Sequence, residues 1–132
     1  LIVVDTSALM AVVLNEALAP ECYYILCHAV PPVISAATLA EVLIVADRRN
    51  VGLGMRRLLR RFDLDVKPVT SETAEQAVTA YARWGKGVHP AGLNFADCFV
   101  YSLAERLRAP LLIVGRDFAR TDICSAITGN AD

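Results

Sequence analysis

Leu1-Ile2-Val3-Val4-Asp5-Thr6-Ser7-Ala8-Leu9 opens the chain and decides how the rest is read. Four apolar residues, three of them β-branched, suit a short strand buried on both faces. Asp5 follows at once, then Thr6 and Ser7, both favoured helix N-caps, and then an apolar stretch from Ala8 to Leu14 with helical character. A carboxylate at the carboxyl end of a parallel strand stands where open α/β sheets place their ligands. Taken alone, Asp5 reads as the cap of the helix that follows; the other acids along the chain change that reading.

Working outward, the same alternation continues. Leu18-Ala19-Pro20-Glu21 starts a second helix that stops before Pro31-Pro32, and Val33-Ile34 is a short strand. Ser35 or Ala36 opens a third helix, and a fourth from Gly54 to Phe62 puts Met55, Leu58, Leu59 and Phe62 on one face. Asp65 to Val69 is a third strand. Thr70 or Ser71 caps a fifth helix through Trp84, closed by Gly85-Lys86-Gly87. Asn94, with Asp97 three residues on, begins a sixth as a capping box, and Leu111 to Val114 is a buried strand. The order β-α-α-β-α-α-β-α-α-β predicts an α/β fold with a parallel sheet covered by helices on both faces.

The 132 residues are 55% hydrophobic and 20% charged, which excludes disorder and fits one domain over 1–132. The net charge of −1 carries no global sign of a nucleic-acid partner. Its distribution says more, because residues 1–47 hold five acids (Asp5, Glu16, Glu21, Glu41, Asp47) and no Lys or Arg. The cysteines Cys22, Cys27, Cys98 and Cys124 lack zinc spacing and read as reduced core thiols. Glu41 interrupts the longest apolar run and the start lacks a basic signal-peptide region, so a cytoplasmic, soluble protein is expected.

Three acids lack a nearby partner in sequence. Glu41 is the only charge between Ala36 and Ala46, on a helix that reads as apolar almost all round. Asp97 has Leu93, Asn94, Val100 and Tyr101 as helical neighbours, again without a cation. Asp117 follows the last strand as Asp5 follows the first, although Arg116 and Arg120 could pair with it. A parallel sheet brings the strand ends and helix starts to one edge. Two carboxylates about 4 Å apart there repel by about 4 kcal/mol at an effective dielectric of about 20. Such acids either share protons or hold a hard dication, and an oxygen-only donor set selects Mg²⁺ or Mn²⁺ over zinc.

These segments together resemble the PIN-domain ribonucleases, specifically the VapC-like toxins of bacterial toxin–antitoxin pairs. The resemblance rests on Val3 to Leu9, Ser35 to Glu41, Gly85-Lys86-Gly87 with His89-Pro90-Ala91, Leu93 to Phe99, and Gly115-Arg116-Asp117-Phe118 leading to Thr121-Asp122-Ile123. It implies a three-layer α/β/α fold with a central parallel sheet of four or five strands. It further implies Mg²⁺- or Mn²⁺-dependent endonucleolytic cleavage of RNA, homodimerisation, and inhibition by a cognate VapB-like antitoxin. Carried over by position, Asp5, Glu41, Asp97 and Asp117 match the catalytic, metal-holding acids. Ser7 and Thr6 match the small hydroxyl residues beside the first acid, with Asn94 and Asp122 as further supporting groups.

Two departures stand out. Arg116 occupies a position where related toxins often carry an acid, and Val88 and Val114 stand where a basic residue is frequent. They motivate an alternative, a PIN-like module that binds RNA or a partner without cutting. Lys86 and Arg116 are the expected RNA-phosphate contacts. The six arginines from Arg48 to Arg61 read as a solvated helix face, with a phosphate track or an antitoxin contact as alternatives. Trp84 and Tyr81 read as core, and His89 as a hydrogen-bonding loop residue.

Overall fold

The computed structural model describes residues 1–29 and 31–127. Ten elements follow one another: β1 (Ile2–Val4), α1 (Thr6–Val13), α2 (Ala19–His28), β2 (Pro32–Ser35), α3 (Ala36–Arg48), α4 (Gly52–Phe62), β3 (Asp65–Lys67), α5 (Ser71–Trp84), α6 (Phe95–Leu107) and β4 (Leu111–Leu112). The strands form one four-stranded sheet in the order β3-β2-β1-β4. Every pairing in it is parallel, with Val3 opposite Val33 on one side and Leu111 on the other.

Strand alternation explains the two helical layers. Val3, Val33 and Leu111 point to one face and pack with Ala77, Ala80 and Trp84 of α5 and Tyr101, Leu103 and Ala104 of α6. Ile2, Val4, Ile34 and Leu112 point to the other, against Leu9, Cys22, Leu26, Val42, Met55 and Phe62 from α1 to α4. Each layer buries its own apolar core, and the sheet between them is shielded from water on both sides.

The cap of α1 is Asp5, as its place at the strand end allowed, and not Thr6 or Ser7. Three local expectations are corrected. The last strand is shorter than Leu111–Val114, because the Val114 amide donates to the Ser7 hydroxyl and leaves the strand ladder. Helix α3, apolar almost all round in sequence, is not buried all round: Ala40, Ile44 and Asp47 face solvent and Glu41 is half-buried. Of the four free cysteines only Cys22 and Cys98 are core; Cys27 and Cys124 are exposed.

The arginine-rich α4 behaves mainly as a solvated face. Arg56 makes a two-pronged bond to Asp47, at 2.7 and 3.1 Å, while Arg57, Arg60 and Arg61 stay exposed.

Candidate active site

The site begins where β1 ends. Asp5 keeps extended backbone geometry and donates its amide to the Leu112 carbonyl at 3.0 Å, so it is still held by the sheet. Its Oδ2 accepts the Ser7 amide at 2.9 Å, which starts α1. The residue is only 7% exposed. Burial pushes its pKa up; the hydrogen bonds from Ser7 pull it back, and the charges of Glu41 and Asp117 push it up again. Capping and site membership are therefore compatible roles of one residue.

Because Asp5 does the capping, the two hydroxyls after it are free for longer-range bonds. Thr6 Oγ1 donates to Glu41 Oε1 at 2.5 Å, tying the first turn of α1 to α3 across 35 residues of sequence. Ser7 Oγ accepts the Val114 amide at 2.9 Å, which pins the segment leading to Asp117 against the start of α1. Gly115 then turns the chain with φ of +106°, a conformation that L side chains rarely adopt.

Asp97 arrives from the other helical layer. It sits in the first turn of α6, where Asn94 Oδ1 accepts the Asp97 amide at 2.9 Å and Asp97 Oδ2 accepts the Asn94 amide at 3.0 Å. Despite that bond its carboxyl is pushed up to about 6. Burial is the main cause, the Asn94 amide opposes it, and the charges of Asp5, Asp117 and Glu41 add to it. The four acids are thus electrostatic neighbours at one edge of the sheet. Among the described residues none of them has an ion pair, Arg116 and Arg120 beside Asp117 included.

Among the described residues no group of three or more His, Cys, Asp or Glu side chains is gathered closely enough to hold a metal ion by itself. The four acids interact through charge without closing on one point, so an ion among them would have to keep water in its shell, as Mg²⁺ does. This ion gives up its waters reluctantly and is commonly held by one or two carboxylates with water filling the rest of its shell. The donors are all oxygen, no ion pair among the described residues offsets their charge, and the Asp97 carboxyl is pushed up to about 6 by burial and by its acidic neighbours. The residues present fit a hard dication.

Other expected site residues fall in different places. Asp122 is corrected: its Oδ1 accepts the Tyr101 hydroxyl at 2.7 Å and its Oδ2 pairs with Arg83 at 3.4 Å. Glu105 shares both of these partners, so Asp122 belongs to a separate polar cluster. Lys86 and Arg116 are exposed, as a phosphate contact requires. Trp84 is buried edge-on to Tyr101, and His89 Nδ1 accepts the Ala91 amide at 3.0 Å; both are structural. Tyr81 is corrected: it is exposed rather than core, and its hydroxyl donates to the Lys86 carbonyl at 2.8 Å. A groove of about 570 Å³ lies elsewhere, against Val12, Tyr23 and Cys27, and none of the four acids lines it.

The family profile for the PIN domain matches residues 2–123. This chain belongs to the PIN-domain family. Among curated relatives of this PIN domain, VapC ribonuclease Mb2004c of Mycobacterium bovis and ribonuclease VapC36 of Mycobacterium tuberculosis are each 41% identical over 127 residues, spanning 92% of this chain and 90% of the relative. Ribonuclease VapC28 of Mycobacterium tuberculosis is 39% identical over 129 residues, spanning 95% and 97%. Among solved structures, Mycobacterium tuberculosis VapC20, described as a Sarcin-Ricin loop cleaving toxin, superposes with a TM-score of 0.77 at 19% identity, covering 96% of this chain and 98% of that one. A toxin–antitoxin complex from Klebsiella pneumoniae gives 0.69 at 19% identity, with 92% and 93% covered. The likeness to the solved structures confirms a three-layer PIN fold.

Proposed function

We propose that this PIN domain is a toxin-type endoribonuclease of the VapC kind, hydrolysing RNA phosphodiester bonds with Mg²⁺ or Mn²⁺ at Asp5, Glu41, Asp97 and Asp117. One observation carries the reading. Asp97, from one helical layer, feels the charge of Asp5, Glu41 and Asp117, from the sheet edge and the other layer, and no cation among the described residues forms an ion pair with them. Bound there, the ion would supply positive charge for the scissile phosphate and make an attacking water acidic at neutral pH.

The chain's own residues do the positioning. Thr6 holds one Glu41 oxygen, and the Asn94 amide holds one Asp97 oxygen, so each carboxylate keeps another oxygen for the ion or its waters. Asp5 is fixed by the sheet and by the Ser7 amide. Lys86, in the glycine loop, and Arg116, next to Asp117 in sequence, are exposed and offer charge to flanking phosphates. The bond broken is that to the 3′ oxygen, leaving a 5′-phosphate and a 3′-hydroxyl. A VapB-like antitoxin, a homodimeric state and a cytoplasmic site of action accompany this reading. The antitoxin is supported by the toxin–antitoxin complex among the solved structures, whereas the homodimer and the cytoplasmic site are carried over from the family resemblance; no described helix is long and apolar enough to cross a membrane.

Incubation of purified protein with total RNA in Mg²⁺, Mn²⁺ or EDTA tests it. Discrete 5′-phosphorylated fragments are expected with either metal and none with EDTA. RNA binding without cleavage in every metal would instead favour the non-cutting module. Thr6→Val keeps the shape of Thr6 but removes its O–H. Loss of such an orienting group is expected to lower the cleavage rate by about 10- to 100-fold. Circular dichroism of Thr6→Val should be unchanged.

A further inference from the structure

Phe95 is the first residue of α6, and at 76% exposure it is the most solvent-open large apolar side chain among the described residues. It occupies the rim of the acid site. Asn94 before it and Asp97 after it form the capping box that presents the Asp97 carboxyl. Its ring stands edge-on to Phe99, with centroids 5.1 Å apart and planes at 74°. Phe99 in turn lines a small hollow with Ser35 and Lys67, the last residues of β2 and β3. The ring is therefore propped up at the carboxyl edge of the sheet, where Asp5 also lies. On its other side the Lys86 amide donates to the Leu93 carbonyl at 2.9 Å, which brings the Lys86 loop alongside.

A flat apolar face beside a phosphodiester-cutting site and a cation is the pairing that single-stranded nucleic-acid sites use, one group for bases and the other for the backbone. A protein partner is a poorer fit. One aromatic ring offers about 150–250 Å² against about 800 Å² per side in a stable interface. Gly92 and Asn94, its neighbours in the chain, are exposed without adding apolar area, and the exposed Val88 and Tyr81 of the Lys86 loop still leave the patch short of such an interface.

We infer that Phe95 is a stacking platform for a nucleobase flanking the scissile phosphate, and so a residue that requires single-stranded RNA and positions it. The inference rests on the ribonuclease reading for its substrate, but its test has a separate readout. Fluorescein-labelled oligouridine and oligoadenosine are titrated into Asp5→Asn protein, which should not cut, and anisotropy reports binding. Phe95→Ala in that background is expected to weaken binding by about 5- to 100-fold, the span found for base–aromatic contacts. Phe95→Trp should restore it, and an abasic strand of equal length should bind with and without the ring alike.

Unchanged binding by Phe95→Ala overturns the platform. So does a shift in sedimentation caused by that substitution, which would make Phe95 a subunit contact. If the unsubstituted protein cuts RNA while Phe95→Ala binds normally, the nuclease reading stands and the platform falls. If binding depends on Phe95 but no metal supports cleavage, the platform stands and the nuclease reading falls.

Discussion

Asp97→Asn is expected to lower RNA cleavage by more than about 100-fold, beyond the range of a merely orienting group. In EDTA the same protein should melt at a higher temperature than its parent. The two effects have one cause. Asn at this position keeps an oxygen that can accept the Asn94 amide, so the capping box survives while the charge disappears. What is removed is a half-buried negative charge raised in pKa by burial and by Asp5, Asp117 and Glu41. Near neutral pH that ionised group opposes folding unless a cation answers it. For a chain of this length each 1 kcal/mol recovered raises the melting temperature by about 4 °C. Calorimetry in EDTA and a gel-based cleavage assay in Mg²⁺ read the two sides. A helix-start acid with no other role predicts the reverse pattern, with stability lost and cleavage kept. That result would remove Asp97 from the site.

The sequence carried the fold because its signals are local. The β-branched run Ile2-Val3-Val4, the cap residues Ser35, Thr70 and Asn94, and the Pro31-Pro32 break each act within a few residues, and the structure keeps them all. The acids were legible for a different reason: Glu41 and Asp97 had no cation within helical reach, which is visible without coordinates. What could not be read was long-range pairing. The bond from Thr6 to Glu41 crosses 35 residues and that from Val114 to Ser7 crosses 107. Asp122 looked like part of the same turn as Asp117, yet Tyr101 and Arg83, on α6 and α5, take it away. Phe95 was hidden by its type. A Phe in the motif Leu93-Asn94-Phe95 suggests core, and only the fold shows that the first turn of α6 lifts it into water.

The response of stability to pH and to divalent ions should share the same origin. Asp97 titrates at about 6 in the folded protein against 3.8 ordinarily, and Asp5 is raised as well. A raised carboxyl binds its proton more tightly in the folded than in the unfolded state. Its stabilising contribution is full below about 4 and fades as pH climbs through about 6. In EDTA the melting temperature is therefore expected to fall across that window. Asp47 acts in the opposite sense, since Arg56 lowers its pKa, so the sum of all acids is not diagnostic. The informative quantity is the difference between the parent and Asp97→Asn, in which Asp47 cancels. That difference should grow from near zero at pH 4 to its full size above pH 7. Mg²⁺ at about ten times its Kd should stabilise the parent by about 1.4 kcal/mol at neutral pH, because it binds the folded acids and not the unfolded chain. At pH 5 protons compete for the same oxygens and the gain should shrink. A Mg²⁺ gain equally large at pH 5, or present undiminished in Asp97→Asn, would mean that the ion binds away from these carboxylates.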